Sequence, residues 1–130
     1  VEKTKQYYYE IKNKDRFESL CRIVDVDEPS SAIIFCRTKR GVDELVEGLQ
    51  SRGYNVEGMH GDMGQNQRLN TLRKFKDSSL DFLVATDVAA RGIDVENVSH
   101  VINYDLPQDT ESYSGNSQRI YAVKANRKVH

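Results

Sequence analysis

FLVATDVAARGIDV, Phe82 to Val95, decides the reading of this chain. Its first part, Phe82-Leu83-Val84-Ala85, is an unbroken apolar run of strand length. A run without alternation suits a strand covered on both faces, as in a parallel sheet. The rest places Thr86, Asp87, Arg91, Gly92 and Asp94 on the loop leaving the strand's carboxyl end. In open parallel α/β sheets that end is where ligands bind. A hydroxyl, an arginine, a glycine and a carboxylate presented together suit a phosphate backbone on one side and a ribose on the other.

Working outward, strands and helices alternate. Tyr7 to Ile11 is aromatic and β-branched and predicts a first strand. Asp15 followed by Glu18 has the form of a capping box. Phe17, Leu20, Cys21 and Val24 then recur at helical spacing. Asp27-Glu28-Pro29-Ser30 breaks the chain before a strand, Ser31 to Phe35. A second helix carries Val42, Leu45, Val46 and Leu49, and Gly53 falls where a left-handed residue ends it. Asn55 to Met59 predicts a third strand. Gln65 to Phe75 predicts a third helix with Leu69, Leu72 and Phe75 inward. Strands at 81–85 and 100–104 follow. The alternation implies crossover connections and one α/β domain of five or six strands, mainly parallel, with helices on both faces. Ile33, Ile34, Leu83, Val84, Val101 and Ile102 are the expected sheet core.

Composition bounds the function. The 130 residues are 38% hydrophobic and 30% charged, which fits a globular domain rather than a disordered chain. A chain of this size buries roughly two-thirds of its unfolded surface without staples. No stretch approaches the ~20 apolar residues of a membrane span, and no membrane partner is expected. VEKTKQYYYEIK at the start has no signal-peptide core, so a cytoplasmic location is expected. Cys21 and Cys36 are expected to be reduced, and their spacing fits no metal motif. With a net charge of −1, any nucleic-acid contact has to come from a local patch. Two basic clusters qualify: Arg37, Lys39 and Arg40, and Arg68, Arg73, Lys74 and Lys76. Either is equally well a solvated helix face.

Three strand ends carry polar groups: Cys36-Arg37-Thr38-Lys39, His60-Gly61-Asp62, and the loop after Ala85. A parallel sheet brings them to one edge. Gly61, lacking a Cβ, lets a ligand backbone come close. Gly64-Gln65-Asn66-Gln67-Arg68 opens the third helix, where free N–H groups favour an anion. Gln65 and Arg68 share one face of that helix. Each feature also has a plain structural reading. Thr38 is a helix cap or a ligand contact. His60 with Asp62 is a loop pair or an acid–base or metal site, and no third ligand is evident. Arg91 either contacts a ligand or pairs with Asp87 or Asp94. Tyr7, Tyr8 and Tyr9 form a stacking platform or simply an edge or core strand.

The ordered set resembles the second RecA-like domain of DEAD-box RNA helicases, from Val1 to about Tyr113. IIFCRTK, Ile33 to Lys39, is similar to motif IV, and HGDMGQNQR, His60 to Arg68, to the segment holding the Q-x-x-R element. ATDVAARGIDV is similar to motif V, and VINYDLP, Val101 to Pro107, to the segment after it. The resemblance implies a three-layer RecA-like fold of the P-loop NTPase type. It implies that Arg37, Thr38, Gly61, Gln65, Arg68, Thr86 and Arg91 hold or border the RNA sugar-phosphate backbone, single-stranded or duplex. Gly92 and Asp94 would face the ATP ribose. Contacts of that kind position a strand without reading its bases. The Walker lysine and the D-E-A-D acids belong to the family's N-terminal RecA-like domain, which becomes the implied partner. ATP and magnesium are implied for the parent, the magnesium held by that other domain. This chain requires no cofactor of its own, and no catalytic or metal-binding residue is assigned to it.

The departure begins after Tyr113. The family continues with H-R-x-G-R-x-x-R, whose arginines meet the ATP phosphates; here Ser114 to Tyr121 reads SGNSQRIY. Arg119 has neither the spacing nor the following glycine. Such an arginine finger contributes ~10³–10⁵ in rate in phosphoryl transfer, so the chain alone is expected to be inactive. The domain is therefore assigned to 1–113 and an atypical tail to 114–130. The tail reads as engineered, recombined or shortened, with Arg119 to Lys124 alternating as a substitute edge strand. Its strand either returns to its own sheet or adds to a neighbour's in a swapped homodimer, and a frameshifted or disordered tail is the competing reading. Two functions follow: the RNA- and nucleotide-binding half of a helicase, or a scaffold that keeps the fold and has lost helicase function. An unrelated Rossmann or flavodoxin-like enzyme is disfavoured, because no G-x-G-x-x-G follows the first strand and no nucleophile–base pair is visible.

Overall fold

The computed structural model describes residues 3–12, 15–91, 93, 98–105 and 117–126, the first and last of these stretches as backbone. The elements in chain order are β1 (Lys3–Lys12), α1 (Arg16–Asp27), β2 (Ala32–Cys36), α2 (Lys39–Ser51), β3 (Val56–Met59), α3 (Gln65–Lys76), β4 (Phe82–Thr86), β5 (His100–Asn103) and β6 (Ser117–Asn126). They form one sheet in the order β1-β6-β5-β2-β4-β3. The four strands β5, β2, β4 and β3 are parallel. On the other side β6 runs antiparallel to β5 and β1 antiparallel to β6. The mainly parallel α/β architecture expected from the sequence is the one observed.

Register aligns the functional ends. Cys36 pairs with Thr86, Met59 with Ala85 and Phe35 with Asn103, so the carboxyl ends of four strands share one edge. Alternation along the strands splits the core in two. Ala32, Ile34, Phe82, Val84 and Ile102 face α1 and α2, meeting Leu20, Val24, Val42, Leu45 and Leu49. Ile33, Leu83, Ala85 and Met59 face the other way, toward Phe75 and Leu80. Leu20, Ile33, Ile34, Leu49 and Leu83 are fully buried, each stabilising the fold by about 1.5–3 kcal/mol relative to exposure.

Several expectations need correction. Leu69 is exposed, because the buried stripe of α3 runs through Thr71 and Phe75, with Arg68 and Leu72 partly buried. Thr71 holds its inward place by donating its hydroxyl to Glu57 Oε1 at 3.1 Å. Val101 is only partly buried at the margin of the α3-side core, one strand beyond β2. Asp15 caps α1 without a side-chain hydrogen bond, its φ −105° and ψ 10° lying outside the extended region a capping residue takes, and Glu18 pairs with Arg52 at the end of α2. Gly53 does take the left-handed conformation, at φ 92°. The tail strand exists, but not at an edge: β6 lies between β5 and β1, and β1 is the outer strand. The segment before it, residues 106–116, lies outside the described residues.

Candidate nucleic-acid interface

A cavity of about 810 Å³ opens on the carboxyl edge of the sheet, lined by Arg37, Thr38, Lys39, Arg40, Gly61, Met63, Gln65, Arg68, Thr86, Val88 and Ala89. The sequence-predicted Arg37, Thr38, Gly61, Gln65, Arg68 and Thr86 are thus brought together from three strand ends and one helix start. Arg91 is exposed and is not part of that lining. Gly92 and Asp94 lie outside the described residues.

Each wall has a local cause. Thr38 caps α2, its Oγ1 accepting from the Gly41 N–H at 2.9 Å. It therefore fills its structural role and borders the cavity at once. Gly64 opens α3 without a side-chain cap, which leaves first-turn N–H groups to water or an anion. The loop after β4 is wound into tight turns, with Ala90 N donating to Thr86 O at 3.0 Å and Ile93 N to Ala90 O at 3.1 Å. Arg68 reaches across to that loop and donates to Ala89 O at 2.9 Å. Its buried Nε has no hydrogen-bond partner among the described residues.

The lining is electropositive: among the described residues Arg37, Lys39, Arg40 and Arg68 contribute to it, and no carboxylate does. Two of these cations are partnered from outside the wall. Lys39 Nζ lies 2.8 Å from Asp62 Oδ1, and Arg40 pairs with Glu44 one turn along at 3.1 Å. The hydrogen bond from Lys39 holds the Asp62 carboxyl below the usual carboxylate range. The Arg37 backbone N–H donates to Asp105 Oδ2 at 3.3 Å. Asp105 is in turn paired with Arg16, whose guanidinium stacks 4.4 Å from the centre of the Tyr104 ring.

His60 and Asp62 form a loop pair. The Asp62 N–H donates to His60 Nδ1 at 3.2 Å, and His60 Nε2 faces Asp43 Oδ1 at 3.0 Å. With Nδ1 accepting, the ring proton sits on Nε2. No group of three or more His, Cys, Asp or Glu able to hold a metal occurs among the described residues. Both cysteines are buried and free, and burial, with Asp105 adding to it, pushes the Cys36 thiol up to about 12.

The second basic cluster divides. Only Arg68 reaches the cavity; Arg73, Lys74 and Lys76 sit in the last turn of α3, where cations complement the helix dipole, and Lys74 pairs with Glu57 at 2.7 Å. Lys39 and Arg40 were not singled out from the sequence as site residues, although the cluster containing them was visible. Met63, Val88 and Ala89 carried no chemical signal and enter the lining through loop geometry alone.

Comparison with known proteins identifies the fold's family. Residues 15–122 match the helicase conserved C-terminal domain. The chain belongs to that family, as a DEAD-box C-terminal domain. It is 57% identical over 108 residues to the DEAD-box ATP-dependent RNA helicase CshA of Streptococcus pneumoniae serotype 4, covering 83% of this chain and 21% of that protein. To CshA of Geobacillus kaustophilus it is 55% identical over 113 residues, 87% of this chain and 24% of that one. The chain thus spans about a fifth to a quarter of the length of these relatives. A DEAD box protein from the hyperthermophile Methanococcus jannaschii superposes with a TM-score of 0.69 at 44% identity, over 79% of this chain and 28% of that one. S. cerevisiae Dbp5 bound to RNA and ADP BeF3 does so with a TM-score of 0.68 at 35% identity, over 77% and 26%. The family match runs past Tyr113 into β6.

Proposed function

We propose that this DEAD-box C-terminal domain holds the sugar-phosphate backbone of RNA in the cavity at the sheet's carboxyl edge. In this reading it works as one half of an ATP-dependent RNA helicase. One observation carries the reading: four separate segments deliver Arg37, Thr38, Gly61, Gln65, Arg68 and Thr86 to one cavity whose lining, among the described residues, has cations and no carboxylate. The uncapped start of α3, whose first residue Gln65 lines the cavity, supplies free backbone donors there. The solved relative bound to RNA and ADP BeF3 supports the same reading. Arg91 adds a cation at the rim. Gly92 and Asp94 serve the ATP ribose, while triphosphate and magnesium belong to an N-terminal RecA-like partner domain.

This domain's part is binding and orientation. Arginines and N–H groups fix the backbone, Gly61 admits it closely, and base edges are left unread. The test is a salt titration of single-stranded RNA binding. Neutralising two to four phosphates gives a log–log slope of roughly −1.4 to −2.8 for a single strand. Arg68→Ala should weaken binding to unrelated sequences alike. A salt-insensitive or strongly sequence-selective interaction defeats the reading. No RNA binding at all favours the scaffold alternative, which the arginine-poor sequence from Ser114 to Tyr121 motivates.

A further inference from the structure

We propose that Asp62 is a built-in counter-ion restraining Lys39 at the Gly61 corner of the cavity, so that a phosphate gains this lysine only by displacing a carboxylate. The inference rests on the RNA reading above and adds a residue pair that sets how tightly, and how reversibly, the backbone is held.

Three observations carry it. The Lys39 ammonium is engaged by Asp62 at 2.8 Å, yet the side chains are 54% and 68% exposed, so solvent and ligands reach the pair. The lysine stem crosses the closest-approach point of the cavity: Cε and Nζ lie 3.6 and 4.0 Å from where a Cβ on Gly61 would stand. Asp62 is also presented from a fixed turn, because its N–H is tied to His60 Nδ1 at 3.2 Å and the far side of that ring is held by Asp43 at 3.0 Å.

An exposed pair of this kind contributes little to folding. Its consequence is for binding. Lys39 is the cation over the glycine floor, and in the free domain its charge is already matched. An incoming phosphate exchanges one anionic partner for another instead of gaining an unpaired ammonium. Asp62 therefore lowers affinity and shortens the bound lifetime without touching the ligand. A protein that has to let go of RNA after each round is served by such a partner. Asp62 is a positioning residue acting through Lys39.

The experiment measures anisotropy of a labelled single-stranded oligouridylate against salt, for the full chain and for Asp62→Asn, Lys39→Met and the double variant. Matching denaturation midpoints establish that all four fold. Asp62→Asn is expected to tighten binding roughly three- to tenfold at low salt, about the worth of one phosphate contact. It should also steepen the log–log slope by about 0.7. Lys39→Met alone should weaken binding, because it removes a lining cation and leaves the Asp62 carboxylate uncompensated, and in its background Asp62→Asn should give a clearly smaller gain than in the parent. A gain of equal size in both backgrounds overturns the proposal, since it makes Asp62 a long-range charge only. Unchanged affinity and slope in Asp62→Asn overturn it too, while the RNA reading survives in the parent's own binding. If none of the four proteins binds, the RNA reading falls and the counter-ion proposal with it.

Discussion

Replacing Gly58 by alanine should destabilise the domain, although in a strand the change is intrinsically favourable by about 0.5–1 kcal/mol. Gly58 sits in β3 opposite Val84 of β4, and it is not among the positive-φ residues, so backbone freedom is not why it is there. Space is. A Cβ at this position would stand 2.7 Å from Val42 Cγ1 and 3.0 Å from Val46 Cγ2, against an optimum of about 3.5–4.0 Å between carbons. Val42 is fully buried in α2, and a valine in a helix is nearly fixed at χ1, so its methyl cannot swing aside. Either α2 lifts from the sheet or β3 moves outward. Overpacking of this sort costs about 1–3 kcal/mol, which leaves a net loss of about 0.5–2 kcal/mol from a total of about 5–15.

Urea denaturation reads the loss as a lower midpoint at unchanged slope. Val42→Ala supplies the control. Alone it removes two buried methyl groups, about 1.6 kcal/mol by transfer and more with the cavity left behind. Combined with Gly58→Ala, the new methyl occupies the vacated space. The double variant should therefore be more stable than the sum of the single losses, by about 1 kcal/mol. A Gly58→Ala protein as stable as the parent, or strict additivity of the pair, refutes the packing argument.

The remaining predictions are shorter. The isolated chain should release no phosphate from ATP with or without RNA, and RNA-stimulated release from pure protein would count against the assignment of triphosphate chemistry to a partner domain. Amide exchange at Tyr121 to Val123 should be nearly as slow as at Leu83, because β6 is paired on both sides; fast exchange there would contradict the interior placement. Alkaline pH should destabilise the fold. Burial pushes Cys36 and Tyr104 up to about 12, above the ~8.5 and ~10 of an unfolded chain. Below about pH 8.5 nothing is lost; from there toward pH 12 the unfolded chain gives up protons the folded one keeps, and stability falls. A urea midpoint that stays level or rises between pH 7.5 and 10.5 would contradict this.

The binding edge was legible because its chemistry is local. Cys36-Arg37-Thr38, His60-Gly61-Asp62 and Thr86-Asp87 each follow an apolar strand, and a parallel sheet then leaves no other place for them. Side-chain partnerships across the edge were not legible. Nothing in the spacing of Lys39 and Asp62, or of Arg16 and Asp105, announces an ion pair, because each depends on how two loops lie against each other. Leu69 shows another limit. A helix of few apolar residues leaves its inner face ambiguous by one position, and here a threonine with a half-buried acceptor, Thr71 with Glu57, outcompeted a leucine for the inward place.

The tail shows how far alternation alone can go. Ser117–Asn126 is a strand in the structure, as the period-two pattern from Arg119 to Lys124 suggested. Yet alternation is identical for an edge strand and for one paired on both sides. The protecting charges lie elsewhere. The outer strand is β1, whose sequence, KTKQYYYEIK, carries lysines at both ends, and charge on an edge discourages further pairing. At the other end of the sheet β3 has no such charge run, and Gln50 of α2 donates to the Val56 carbonyl at 2.9 Å, occupying part of that edge from within the molecule. The sheet thus protects its two margins by different means, a charged strand on one side and a helix side chain on the other. Both leave the carboxyl ends of β2, β3 and β4 open, where the cavity needs them.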